Sequence, residues 1–239
     1  MRYERQIPVI GREGQEKLKR STVLIAGAGG LGSASALYLA AAGVGRLIIV
    51  DPQDVELSNL NRQVLHWTSD IGRAKVESAR EKLRRLNPNV EVEVYREELT
   101  EELARRLVSR ADIVIDALDN WEARFLLNRV CVELGKPFIH AGVEGFYGQM
   151  LVVVPGKGPC LQCLLPRQPP SRSGVPVLAT TPGVLGLLQA TEAIKLLTGV
   201  GEPAIGRLII YDGYSMTFSE VRVRRRPDCP VCSRIRHGG

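Results

Sequence analysis

The chain has 239 residues, five cysteines, and 32 Lys and Arg against 26 Asp and Glu. A hydrophobic content of 44% can bury a sizeable core and excludes a disordered tail, while five cysteines are too few, and odd in number, for a disulfide scaffold. The net charge of +6 leaves an anionic ligand or nucleic acid open, but no apolar run of about 18 residues marks a membrane span. The opening Met1–Gln6 lacks the apolar core of a signal peptide, so a reducing cytoplasm is the expected location.

In chain order, short Val- and Ile-rich runs alternate with helical periods. Thr22–Ala26, Leu47–Val50, Val90–Val94 and Ile113–Ile115 read as strands, with helices near 30–42, 72–86, 100–109 and 121–134 between them. Such alternation predicts a parallel sheet built from right-handed crossovers, its strands buried on both faces. Phe138–Ala141 reads as a further strand, and Gln149–Val154 as another at or near the sheet edge. Residues 165–182 carry five prolines and little periodicity, which predicts a crossover loop. Val184–Leu197 is helical, with Gly199 suited to its C-cap. Arg207–Tyr211 and Met216–Val223 close the fold as strands.

The first strand runs into Gly27-Ala-Gly29-Gly30-Leu-Gly32 and then a helix, the context in which G-x-G-x-x-G binds a phosphate at a helix N-terminus. Asp51 ends the second strand, where a carboxylate can accept from ribose hydroxyls. The next segment holds Ser58-Asn59-Leu-Asn61-Arg62-Gln63, and Lys75 follows near the start of a helix. A nicotinamide enzyme does not require so polar and basic an insertion. A triphosphate site does: Arg62 and Lys75 can neutralise phosphate oxygens and Asn59 can orient one, although singly Lys75 reads as a solvated helix charge and Arg62 as a surface salt bridge. Asp119 follows the fourth strand, placed to hold Mg²⁺ directly or through water, and Asn120 reads mainly as the cap of the helix after it.

Cys160-Leu-Gln-Cys163 and Cys229-Pro-Val-Cys232 form two C-x-x-C pairs. Two such knuckles match tetrahedral Zn²⁺ held by four thiolates; a redox C-x-x-C competes, and the flanking Pro and Gly favour metal. Cys131 sits on an apolar helix stripe with Leu127, Val130 and Leu134 and reads as a buried core thiol. The histidines His66, His140 and His237 make no cluster; His66 and His140 read as ordinary loop or strand-end residues.

Together these motifs resemble the MoeB/ThiF/HesA family of ubiquitin-activating-enzyme-like adenylyltransferases. The resemblance runs from Arg2-Tyr3-Glu4-Arg5-Gln6 through the glycine loop, the Asp51 to Gln63 segment, Lys75 and Asp119-Asn120 to Gln189-Ala-Thr-Glu-Ala-Ile-Lys195. It implies an α/β fold: a Rossmann-like doubly wound, mainly parallel sheet extended by C-terminal antiparallel strands and a zinc knuckle. The expected organisation is one domain over 1–239, with a nucleotide-binding part at 1–155 and the knuckle, crossover loop and last strands at 156–239.

The implied activity is Mg-ATP-dependent adenylation of the C-terminal glycine of a ubiquitin-like sulfur-carrier protein, with release of pyrophosphate, for molybdopterin, thiamin or tRNA sulfur transfer. Arg62, Lys75, Asp119 and Arg5 would be catalytic, Arg5 reaching across a homodimer interface to the partner's ATP. Gly27, Gly29, Gly30, Gly32, Asp51, Asn59, Gln63 and Asn120 would bind the nucleotide, and Cys160, Cys163, Cys229 and Cys232 a structural zinc. Many relatives carry a crossover-loop cysteine, which in ThiF-like members joins covalently to the carrier. Ser171-Arg-Ser-Gly-Val-Pro-Val stands here instead, so adenylation alone is expected, with sulfur supplied by another protein and no room after Cys232 for a rhodanese domain.

Three alternatives are a tRNA-modifying adenylating dehydratase of the same superfamily, an NAD-binding Rossmann protein and a non-catalytic adaptor. The paired knuckles weigh against the first, and the basic insertion and the intact Arg5, Arg62, Lys75 and Asp119 against the others. Nucleic acid is not expected as a partner. Residues 220–239 hold six arginines (Arg222, Arg224, Arg225, Arg226, Arg234, Arg236) against Glu220 and Asp228, so the basic charge belongs mainly to one tail, which could attract an acidic carrier.

Overall fold

Four apolar runs pair in parallel and set the frame. In the computed structural model, which describes residues 2–170 and 174–233, β1 (Thr22–Ala26) lies between β2 (Arg46–Val50) and β4 (Ile113–Asp116). β3 (Glu91–Tyr95) adds outside β2, and β5 (Phe138–Glu144) outside β4. Beyond β5 the pairing turns antiparallel through β6 (Tyr147–Val153), β7 (Arg207–Asp212) and β8 (Thr217–Arg222), giving the order β3-β2-β1-β4-β5-β6-β7-β8.

The expected fold class therefore holds, with one correction. β6 is an inner strand, bonded to β5 on one side and β7 on the other; the edges are β3 and β8. The reversal at β5–β6 lets the chain extend the sheet by successive antiparallel pairs, so the strand expected at or near the edge is a step across the sheet.

Successive side chains of the inner strands point to opposite faces, and both faces are covered. Val23 and Ile25 enter one core with α2 (Gly30–Ala42), α3 (Lys75–Leu86) and α7 (Thr180–Thr198). Leu24 and Ala26 enter the other, with α4 (Glu101–Ser109), α5 (Trp121–Glu133) and the short α6 (Leu161–Leu164). Leu127, Val130 and Cys131 are fully buried in that second core, and burial pushes the Cys131 thiol up. Leu134, expected on the same stripe, instead caps the end of α5 and is partly exposed.

The short α6 and one longer helix lie outside the sequence expectation; the longer is α1, Ile7–Arg20. Its period is interrupted at Gly11, which has φ +75, and Leu18 is its one fully buried large apolar side chain. Polar contacts hold it instead. Gln6 and Gln15 both donate to the Ala42 carbonyl, at 2.9 and 3.0 Å, satisfying the C-terminal end of α2. The crossover stretch is also more ordered at its end than expected, since α7 begins at Thr180 with Pro182 in its first turn, where no N–H is needed. The expected loop positions Ser171 to Ser173, and His237, Arg234 and Arg236, lie outside the described residues.

Candidate active site

The strand order reverses between β1 and β4, and a cavity of about 1260 Å³ opens at the carboxyl ends of these strands, where ligands bind in doubly wound sheets. Gly27, Gly29, Gly30, Asp51, Asn59, Arg62, Gln63, Lys75, Asp119 and Asn120 all line it. Of the expected nucleotide residues, Gly32 lies behind the wall. A Cβ there would stand 2.0 Å from the Gly27 carbonyl oxygen, so glycine is required for α2 to start this close to the strand. Gly27 has φ +101, and a Cβ on it would meet Ala117 O at 2.4 Å. The N-cap of α2 is Gly29, which offers no side chain to its first amides, leaving them for a ligand.

Asp51 follows β2 directly. Its Oδ2 accepts from the Ala28 N–H at 2.7 Å and its Oδ1 from the Gln53 N–H at 2.8 Å, which fixes the carboxylate at the cavity wall while each oxygen keeps a lone pair. Asn59 is buried in a 3-10 turn, its Oδ1 accepting from the Glu56 N–H at 3.1 Å. Arg62 is braced by Ser58 O at 2.9 Å and Asn61 Oδ1 at 3.0 Å, and neither partner neutralises its charge. Lys75, the first residue of α3, is buried and donates to Gln53 Oε1 at 2.7 Å. Two cations without a carboxylate partner among the described residues thus face one cavity. Gln63 Oε1 is buried there without a hydrogen-bond partner among the described residues. Asn120 caps α5, accepting from the Ala123 N–H at 2.9 Å, as expected. Asp119 is exposed, with no partner among the described residues.

Beneath the cavity lies a buried polar layer. Gln189 Nε2 on α7 donates to Asp116 O at 2.7 Å and Ile139 O at 2.9 Å, tying the ends of β4 and β5 together. Asp116 accepts from the Leu118 N–H at 3.1 Å and from His140 Nδ1 at 2.6 Å. Arg124 closes the layer: its Nε donates to Leu118 O at 3.2 Å and lies 3.7 Å from Asp116 Oδ1, and its guanidinium stands 5.0 Å from the centre of the Trp121 ring.

A second cluster is built from the two C-x-x-C pairs. The sulfurs of Cys160, Cys163, Cys229 and Cys232 lie within 4.8 Å of one another. Cys160–Cys229 is 3.6 Å, Cys163–Cys232 3.4 Å and Cys160–Cys163 3.9 Å. Zn–S bonds of about 2.3 Å in a tetrahedron put sulfurs about 3.8 Å apart, so these spacings fit the ion. Burial raises the Cys160 thiol and pushes Cys232 up to about 11, while Cys229 is lowered against its burial by the N–H groups of Cys232 and Val231. The cluster joins the tail to α6, and the Arg226 N–H points at Cys163 Sγ, 3.4 Å away.

With this geometry in place, the ThiF family model matches residues 3–231. The chain belongs to the ThiF family. It is 45% identical over 97% of its length to the sulfur carrier protein adenylyltransferase of Thermus thermophilus, covering 90% of that protein. It is also 45% identical to the Escherichia coli sulfur carrier protein ThiS adenylyltransferase, over 97% of this chain and 94% of that one. Among solved structures, E. coli MccB with ATP superposes with a TM-score of 0.85 at 26% identity, over 97% of this chain and 73% of the other.

In this ThiF-family chain, ten of the twelve expected catalytic and nucleotide residues line one cavity. Gly32 and Arg5 do not: Gly32 packs behind it, and Arg5 is an exposed residue in the turn before α1. The reading from the sequence missed Arg124, Asp116, His140 and His66. Arg124 follows Asn120 by four residues and so shares its face of α5, a spacing that would have found it. His140 and His66, expected to be ordinary loop or strand-end residues, gave no such signal; His66 does lie in a loop and His140 in β5, but both are buried and hydrogen-bonded.

Proposed function

We propose that this chain adenylates the C-terminal glycine of a ubiquitin-like sulfur-carrier protein, using Mg-ATP and releasing pyrophosphate. The observation that carries this reading is the joint placement of the glycine-loop helix, Asp51, Arg62, Lys75 and Asp119 around one cavity, in a chain 45% identical to sulfur carrier protein adenylyltransferases.

The carrier's terminal carboxylate attacks the α-phosphorus; a new C(O)O–P bond forms and the bridge to the β-phosphate breaks. Pyrophosphate takes the electron pair and no protein nucleophile is consumed. Catalysis is then alignment plus stabilisation of charge. The first amides of α2 and Asn59 orient phosphate oxygens, Asp51 accepts from the ribose hydroxyls, and Arg62 and Lys75 take up negative charge on the triphosphate as it moves to the leaving group. Lys75 acts from a largely buried position, which strengthens its pull. Asp119, with free carboxylate oxygens, fits Mg²⁺, a cation that would shield the phosphates when bound. The four cysteines fit a structural Zn²⁺ with no open coordination position.

The homodimer is part of the same reading. Arg5 lies outside its own chain's cavity, free to serve a partner's, and Leu57, Val64 and Trp67 are exposed on the loop that carries Asn59 and Arg62. The reading further holds that the enzyme works in the cytoplasm, in molybdopterin, thiamin or tRNA sulfur transfer, as one domain whose 156–239 portion supports the nucleotide-binding part; no helix among the described residues is long and apolar enough to cross a membrane. The test is to mix the protein with candidate carriers and Mg-ATP and look by mass spectrometry for the acyl-adenylate. Its absence with every carrier, despite ATP binding, would overturn the reading.

A further inference from the structure

Ala28 stands between the first two glycines of the loop, and both of its main-chain polar groups are held by buried side chains. Its N–H donates to Asp51, and its carbonyl oxygen lies 2.9 Å from His66 Nε2. His66 comes from the loop after Gln63 and is 3% exposed. Its other nitrogen, Nδ1, is 2.9 Å from Ser78 Oγ on α3.

With the imidazole neutral, the direction of the bonds from Ser78 to Ala28 follows. A carbonyl only accepts, so Nε2 carries the proton, and in the neutral ring Nδ1 is then bare. Nδ1 therefore accepts from the Ser78 hydroxyl. Ser78 Oγ in turn accepts from Lys82 Nζ at 2.9 Å, and Lys82 is paired with the buried Asp70. Proton donation runs one way, from Lys82 through Ser78 and His66 to Ala28. Burial holds the imidazole below its ordinary value, and the charges of Lys75 and Lys82 push the same way. The groups facing it are Lys75, Ser78 and Lys82 from α3, Asp51 from the end of β2, and the Ala28 carbonyl.

A peptide group is planar and trans, so fixing the Ala28 carbonyl also fixes the N–H of Gly29 on the opposite edge. Gly29 lines the cavity, and its N–H has no acceptor among the described residues. We infer that neutral His66 is a positioning residue: it turns the Ala28–Gly29 peptide so that the Gly29 N–H meets a nucleotide phosphate, and it ties that peptide to the helix that carries Lys75. This inference rests on the nucleotide reading above. It predicts that His66 discriminates phosphorylated nucleotides from the bare nucleoside without touching either.

Two variants separate this role from general stability. In His66→Gln the amide nitrogen stands where Nε2 stood and can still donate to Ala28. In His66→Asn the shorter side chain reaches toward Ser78 and leaves Ala28 alone. Affinities for ATP and adenosine are measured by calorimetry on the full chain. The Asn variant should lose about tenfold or more in ATP affinity, the equivalent of one hydrogen bond to a charged group, with adenosine binding unchanged, and the Gln variant should recover most of that loss. Equal losses for both ligands, or equal losses in both variants, would overturn the inference in favour of a merely structural histidine. Failure of the unaltered protein to bind ATP would instead overturn the nucleotide reading. Nitrogen spectra of the free protein supply an independent check: a protonated Nδ1 at neutral pH would overturn the assigned tautomer.

Discussion

His140 Nδ1 lies 2.6 Å from Asp116 Oδ2, and both side chains are fully buried. A carboxylate accepts, so Nδ1 carries the proton, while Nε2 has no partner among the described residues. Burial holds His140 below its ordinary value, as it does His66. The unfolded chain therefore takes up protons that the folded chain refuses. Stability rises with pH in that window, is fully present above about pH 6.5, and falls as the pH drops toward the lowered folded-state values. Thermal melts between pH 7.5 and 5 should show this decline, and His140→Asn should flatten part of it. An unchanged slope in the variant would show that His140 does not carry the effect.

Removal of Arg62 or Lys75 strips one of the two cations that face the cavity without a carboxylate partner. Arg62→Ala and Lys75→Ala should each abolish carrier-dependent exchange of pyrophosphate into ATP, with little change in melting temperature for Arg62→Ala, since its hydrogen bonds are to the Ser58 carbonyl and the exposed Asn61. Asp119→Ala should be equally inactive while folding normally, because Asp119 has no partner among the described residues to lose. Full exchange in Asp119→Ala would remove its metal role.

Gly27→Ala tests the glycine loop by backbone geometry. The residue sits at φ +101, and the added methyl would stand 2.4 Å from the Ala117 carbonyl oxygen of the neighbouring β4 segment. Neither backbone can retreat without opening the β1–β4 seam at the floor of the cavity. A loss of about 2 kcal/mol or more in denaturant unfolding is expected, with weakened ATP binding. A fully stable Gly27→Ala protein would contradict the geometry.

The sheet was legible in the sequence because its inner strands are buried on both faces, which leaves unbroken runs such as Val23–Ala26 and Leu47–Val50. α1 was not, because Gly11 interrupts its period and its anchors, Gln6 and Gln15, are polar. The residues that touch the cavity were legible because chemistry restricts their type: glycine where a Cβ would collide, a carboxylate after β2, cations in a polar insertion. Their supports were not. Lys82 looks like any solvated helix charge, yet it is buried against Asp70, and nothing local marks His66 or Gln189 as bridges between distant elements. Such residues are defined by long-range contacts, which periodicity does not encode.

The cysteine cluster gives the last prediction. The expressed protein should contain about one zinc per chain, and Cys229→Ser or Cys163→Ser should reduce that stoichiometry. The effect on stability follows from where the thiols lie. All four are buried in the core that covers α5, with Leu161 and Phe138 in the same cluster, and they close a loop from residue 160 to residue 232. Withdrawing the ion would leave four buried sulfurs without the cation that draws them together, and would release the tail from α6. Chelation should lower the melting temperature and increase protease cleavage near Arg224 to Arg226, while the glycine loop at the far end of β1 stays protected. Metal-free protein with two intact disulfides would overturn the assignment.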